Sequence, residues 1–149
     1  MIMIDNLLVE NKLRKIEMFI REIENEKPPP NFESFSKNIV FKRFVERNIE
    51  LSIEQMINVC KHFVSALDLE EPKSYANCFE IIANENIINQ ESLHTFKLMS
   101  GYRNLIIHGY DTVDDSVTYG IYLKRLNNFR LFINAVRNYL SNHMDVSKK

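Results

Sequence analysis

Apolar residues recur every three or four positions through most of this chain, the period of amphipathic helices, and only a few points interrupt the repeat. A first helix is predicted to start near Asp5, which can act as N-cap. It presents Leu13, Ile16, Phe19, Ile20 and Ile23 on one face and stops at Pro28-Pro29-Pro30. After a short Asn31–Phe35 connection, no Gly or Pro occurs from about Ser36 to Leu67. Phe41, Phe44, Val45, Ile49, Ile53, Met56, Ile57, Cys60, Phe63, Val64 and Leu67 predict one long central helix there, about 45 Å in length. It is broken at Glu70-Glu71-Pro72.

Ser74 can cap a short third helix bearing Tyr75, Cys78, Phe79 and Ile82. Asn89 can cap a fourth, with Leu93, Phe96, Met99, Tyr102 and Ile106 along its buried stripe, and Gly109 can end it in a left-handed conformation. Asp114 can cap a fifth that buries Val117, Ile121, Leu126, Phe129, Ile133, Val136 and Leu140, with a frayed tail from His143. The expectation is an all-α fold: one domain over residues 1–149, built as a bundle of four main helices plus one short one, with its core from about 5 to 141.

Composition supports this and narrows the setting. The 149 residues include only three Gly and four Pro, and they suffice for one ordinary core. No run of about 20 apolar residues could span a bilayer. The chain opens Met1-Ile2-Met3-Ile4-Asp5 without a basic leader, and Cys60 and Cys78 fall within helical patterns, so a soluble protein of the reducing cytoplasm with free thiols is expected. The net charge of −1 argues against a generic nucleic-acid binder. Its distribution is more permissive, because residues 1–92 carry 11 basic and 16 acidic side chains while residues 93–149 carry 8 and 4.

The basic half contains the densest chemistry. Gly101-Tyr102-Arg103-Asn104-Leu105-Ile106-Ile107-His108-Gly109-Tyr110 places an Arg, an Asn, a His and a Tyr around one helix end. Arg supplies a bidentate clamp for phosphate oxygens, and His exchanges a proton near neutral pH. A structural reading stands beside this one: Arg103 pairs with a carboxylate, His108 complements a helix C-terminus and Tyr110 packs on the bundle. Asn104 and His108 are four apart and share a face, so Asn104 could orient the imidazole or only support local structure. Arg103 and His108 are five apart, about 140° around an ideal helix, which favours a symmetric second copy completing the site. Lys97, Lys124 and Arg125 are candidate RNA contacts or solvated helix faces. His62, His94 and His143 have no ligand-like spacing, so no metal site and no cofactor are expected.

The stretch from Met99 to Tyr119 resembles the HEPN superfamily, and in detail its HepT branch. The resemblance rests on Arg103, Asn104, His108 and Tyr110 in an Arg-x4-His-x-Tyr arrangement, on Val113-Asp114 and Val117-Thr118-Tyr119, and on the Glu71–Tyr75 turn. It covers about residues 5–141. It implies a homodimeric, metal-independent endoribonuclease toxin with Arg103 and His108 as catalytic residues. The implied partner is a MntA-type minimal nucleotidyltransferase antitoxin that attaches AMP to Tyr110. The residues suit that chemistry: His108 can accept a ribose 2′-OH proton while Arg103 stabilises phosphoryl charge, so RNA is cut and DNA spared. A bulky anion on Tyr110 would oppose an incoming phosphate. Two other functions remain open, a noncatalytic nucleotide- or partner-binding subunit of a nucleotidyltransferase and a purely structural helical dimer.

Overall fold

The computed structural model describes residues 3–109 and 113–147, with side chains to residue 143, and every regular element among them is helical. In chain order these are α1 (Asn6–Asn25), α2 (Phe32–Lys37), α3 (Ile39–Ala66), α4 (Tyr75–Asn84), α5 (Gln90–His108), α6 (Asp115–Lys124) and α7 (Leu126–Ser147). The all-α bundle is as expected, but the elements number seven where five were read from the sequence.

The first added helix replaces the Asn31–Phe35 connection. Asn31 accepts the Ser34 N–H at 2.9 Å and so opens α2, which buries Phe35 completely. Asn38 then ends α2 and caps α3 by accepting the Phe41 N–H at 3.0 Å, so α3 starts three residues later than the unbroken apolar pattern suggested. The second added helix arises because the expected last helix divides at Arg125, which has φ −118° and ψ −3°. Its two parts bury different partners. α7 sends Phe129, Phe132, Ile133 and Val136 into the core at 1% exposure or less. α6 turns Tyr119 and Tyr122 onto Phe35, with ring centroids 5.0 and 5.9 Å away. One straight helix cannot present both faces, and the rotation exposes Val117, expected inside, while burying Thr118. The described backbone is helical to Ser147, and the His143 Nδ1 lies 2.8 Å from the Tyr139 carbonyl oxygen.

The core is an aliphatic seam between α1 and α3, made of Val9, Leu13, Ile16 and Ile20 against Val45, Ile49, Ile53 and Met56, all at 0–1% exposure. Phe79, Phe96 and Phe132 then lock α4, α5 and α7 together through tilted and edge-on ring contacts at 5.5–6.2 Å. Burying each such ring contributes about 1.5–3 kcal/mol, and truncating Phe132 to Ala would cost about 3–5 kcal/mol. Arg137 on α7 clamps Glu10 and Glu17 of α1 at 2.7–3.2 Å. Cys60 and Cys78 are free and buried, as expected.

Candidate active site at the end of α5

Two opposed faces of α5 set the site. The inner face buries Phe96, Met99 and Tyr102, with Leu93 and Ile106 packed against the core at its edges, matching the predicted stripe. Tyr102 fixes the rotation of the last turns: its phenol shares a 2.7 Å hydrogen bond with the Thr118 hydroxyl, and burial pushes its pKa well up, so it stays neutral. Arg103 follows on the flank of that face. Its Nη2 lies 3.5 Å from a Glu54 carboxylate oxygen of α3, and its guanidinium carbon lies 5.1 Å from the Tyr75 ring centroid. The side chain is only 16% exposed, and its Nε–H is buried with no hydrogen-bond partner among the described residues. A 3.5 Å pair is at the outer edge of hydrogen bonding. The guanidinium is therefore aimed by a ring and a carboxylate without having its whole donor fork engaged.

Tyr75 is placed by the first turn of α4. Ser74 accepts the Asn77 N–H at 3.0 Å, and the Asn77 side chain accepts the Lys73 N–H and donates to Glu80 at 3.1 Å. Glu80 in turn pairs with Lys97 of α5 at 2.9 Å. Lys97, a candidate RNA contact, is thus tied to α4 by an ion pair. Glu54 and Tyr75 are the site residues that sequence reasoning missed. Tyr75 read as one more apolar position of a short helix, and Glu54 as one acid among many. The signal for Glu54 was an acidic residue at the edge of an apolar stripe, and for Tyr75 its place in the Glu71–Tyr75 turn.

His108 occupies the last turn of α5 and is exposed, and Asn104, one turn earlier, is half-buried. Arg103 and His108 thus leave α5 in different settings, the first against α3 and α4, the second at the solvated helix end. Gly109 closes the helix at φ +59°, its N–H reaching the Leu105 carbonyl at 3.3 Å, as the sequence predicted. Tyr110 lies outside the described residues. Beyond it, Asp114 caps α6 by accepting from the Ser116 N–H and hydroxyl at 2.9 and 2.8 Å. Asp115 is held by Ser36 at 2.6 Å and Lys42 at 3.1 Å, and the Ser36 bond leads in keeping its pKa low.

Lys42, Arg43 and Glu46 of α3, Ile106 of α5 and Val113–Asp115 line a cleft of about 590 Å³ beside this helix end. Burial pushes the Glu46 carboxyl up, against the pull of Lys42 and Arg43. Lys124 and Arg125 are exposed at the end of α6, where Lys124 borders a separate cleft with Glu24, Glu26 and Arg130. Among the described residues no group of three or more His, Cys, Asp or Glu could hold a metal ion, and no helix is long and apolar enough to cross a membrane.

The chain thus falls in the class of all-helical bundles that carry an arginine and a histidine in the last turns of one helix, the arginine held against a neighbouring carboxylate. Comparison narrows the class. A profile described as ribonuclease HepT-like matches residues 10–136, and the chain belongs to that family. It is 24% identical over 132 residues to the mRNA nuclease HepT of Shewanella oneidensis, covering 89% of this chain and 98% of that one. Identity to the tRNA nuclease HepT of Aphanizomenon flos-aquae is also 24%, over 142 residues and 92% of each chain. The fold matches that of a tri-AMPylated Shewanella oneidensis HEPN toxin in complex with an MNT antitoxin, with a TM-score of 0.80, 23% identity and coverage of 89% and 98%.

Proposed function

We propose that this protein is a metal-independent endoribonuclease toxin that works as a homodimer in the cytoplasm and is silenced by a nucleotidyltransferase that attaches AMP to Tyr110. The observation that carries the reading is the setting of Arg103. It is aimed by Glu54 and Tyr75 yet not saturated by them, five residues before an exposed His108, in a chain of the ribonuclease HepT-like family.

In this reading neutral His108 takes the proton of a ribose 2′-OH, and the freed oxygen attacks the adjacent phosphorus. The bond to the 5′ oxygen breaks, and that oxygen leaves with a proton from a second imidazole. Arg103 balances the charge that builds on the non-bridging oxygens. The products are a 2′,3′-cyclic phosphate and a 5′-OH.

A second copy is the natural source of the second imidazole. The outer face of α5 supports it: Leu98 and Leu105 are each 62% exposed, Gly101 between them is bare, and His108 continues the same stripe. Spacings of three, four and three residues put all four within about 80° of arc, a narrow seam that suits a symmetric helix pair. The opposing reading, a noncatalytic partner-binding subunit, draws on the Arg103–Glu54 pair, which a structural arginine would also make.

Purified protein incubated with total RNA in EDTA, beside His108→Ala and Arg103→Ala, separates the two. Cleavage leaving cyclic phosphate ends, lost in both variants with folding intact, is expected. Intact RNA from protein whose mass shows an unmodified Tyr110 would favour the binding subunit.

A further inference from the structure

Arg43, Arg47, Glu54 and Lys61 lie at intervals of four, seven and seven along α3, which keeps them within about 40° of one another around an ideal helix. Contacts place this strip beside the α5 site. Arg43 shares the cleft lined by Ile106, Glu54 reaches Arg103 at 3.5 Å, and the Lys61 ammonium lies 5.0 Å from the centroid of the Tyr75 ring that also receives Arg103 at 5.1 Å. From Arg43 to Lys61 the strip runs about 27 Å, with Arg103 alongside its middle.

Its charges are layered. Glu50 belongs to the same face but is recessed, with 11% of its side chain exposed, whereas Arg47, paired to it at 3.0 Å, is 61% exposed. An approaching anion therefore meets the guanidinium and not the carboxylate. Arg43 and Lys61 are also exposed and join no ion pair among the described residues. Glu46 stands at the edge of the strip, with Lys42 and Arg43 beside it. Arg43 and Arg47 stand one helical turn apart, about 6 Å along the axis. That interval is of the order by which consecutive phosphates are separated in an extended strand.

We propose that a single RNA strand lies along this face of α3, its backbone phosphates held by Arg43 and Arg47 on one side of Arg103 and by Lys61 on the other. The strip reads no sequence; it sets the path that brings one phosphodiester to Arg103 alongside its middle. The assignment rests on the ribonuclease reading of the α5 site, and it locates the strand on α3 where the sequence suggested Lys97, Lys124 and Arg125.

The test is binding of a fluorescently labelled, unstructured RNA oligonucleotide to the full chain carrying His108→Ala, followed by anisotropy across a range of salt concentrations. Each phosphate contact on a single strand contributes about 0.7 to the slope of log affinity against log salt. Adding Arg43→Ala, Arg47→Ala and Lys61→Ala is expected to lower the slope by about 2, and affinity near 0.1 M salt by tenfold or more. A charge-matched control, Arg14→Ala, Lys15→Ala and Lys37→Ala on α1 and α2, is expected to leave the slope in place. An unchanged slope in the first variant, or an equal loss in both, overturns the α3 track. Should Arg47→Ala misfold by uncovering Glu50, the Arg43→Ala/Lys61→Ala pair gives the same comparison with an expected slope change of about 1.4. If the unsubstituted chain neither binds nor cuts RNA, the ribonuclease reading itself falls. If it cuts RNA while the variants keep the full slope, only the track does.

Discussion

The Arg103 guanidinium rests against the Tyr75 ring at 5.1 Å, so the motif arginine of α5 is positioned by the first residue of α4. A cation over an aromatic face at a partly exposed site contributes about 0.5–1 kcal/mol. Tyr75→Leu is expected to lower kcat/KM on RNA by a factor of about 2–5. Tyr75→Phe, which keeps the ring, should stay near wild type in the same cleavage assay. Equal rates for Leu and Phe would remove the ring from the mechanism.

The bare outer face of α5 gives a test of assembly. Leu105→Glu sets a charge on the Leu98–Gly101–Leu105–His108 stripe and is expected to yield monomers in sedimentation, with RNA cleavage lost. A dimer that survives this change uses some other surface. Gly120, inside α6 and with open space where a Cβ would sit, is the control. Gly120→Ala should raise stability by about 0.5–1 kcal/mol through helix propensity and leave the oligomeric state alone.

The buried Tyr102–Thr118 hydrogen bond ties the motif helix to α6. Tyr102→Phe leaves one hydroxyl buried and unpaired, as does Thr118→Val, and each should cost about 1–3 kcal/mol in urea unfolding. The double variant strands no polar group. It is expected to lose less than the sum of the two, and strict additivity would argue against the bond.

Stability should depend on acid in two opposite ways. Hydrogen bonds from Arg137 hold the Glu17 carboxyl below its ordinary 4.5. This contribution is present above that value and disappears as pH falls through the lowered folded-state pKa. Both partners are about a third exposed, so its size is about 1 kcal/mol or less. Arg137→Gln should flatten the acid limb of a stability–pH profile. Glu46 runs the other way. Its folded-state pKa is raised by burial, so its contribution is most favourable below the ordinary 4.5 and is lost as pH rises. Glu46→Gln is therefore expected to stabilise the protein at pH 7 and to have little effect near pH 3.5, as read by thermal melting.

Much of this architecture is legible from periodicity. Most of the stripes of α1, α3, α5 and α7 are found buried, with Phe19, Phe41, Phe44, Leu67, Leu93 and Ile106 half-buried at their edges, and Gly109 and Asp114 end and begin helices where their chemistry allows. The division at Arg125 was hidden because no Gly or Pro marks it. It is driven by two separate partners, the aromatic cluster around Phe35 and the core beneath α7, and local sequence carries no trace of that competition. Asn31 and Asn38 cap α2 and α3, but the apolar pattern running across Ser36–Phe41 concealed the joint between the two helices. At the candidate site, Arg103 and His108 stand close in sequence, so their spacing alone marks them as candidates. Glu54 and Tyr75 reach Arg103 only through the packing of three helices, and no spacing along the chain announces such a meeting.

The chain of polar contacts from Ser74 through Asn77 and Glu80 to Lys97 bears on genetics as well as geometry. A screen sensitive to a partial loss of activity would select not only the motif but also Ser74, whose hydroxyl starts the helix on which Tyr75 sits. Such a variant would fold, melt at nearly the usual temperature and present an intact Arg103 and His108, yet its arginine would have lost its bearing. Weakened alleles outside the motif, clustered at the head of α4, would be the inheritance pattern of a site aimed from behind.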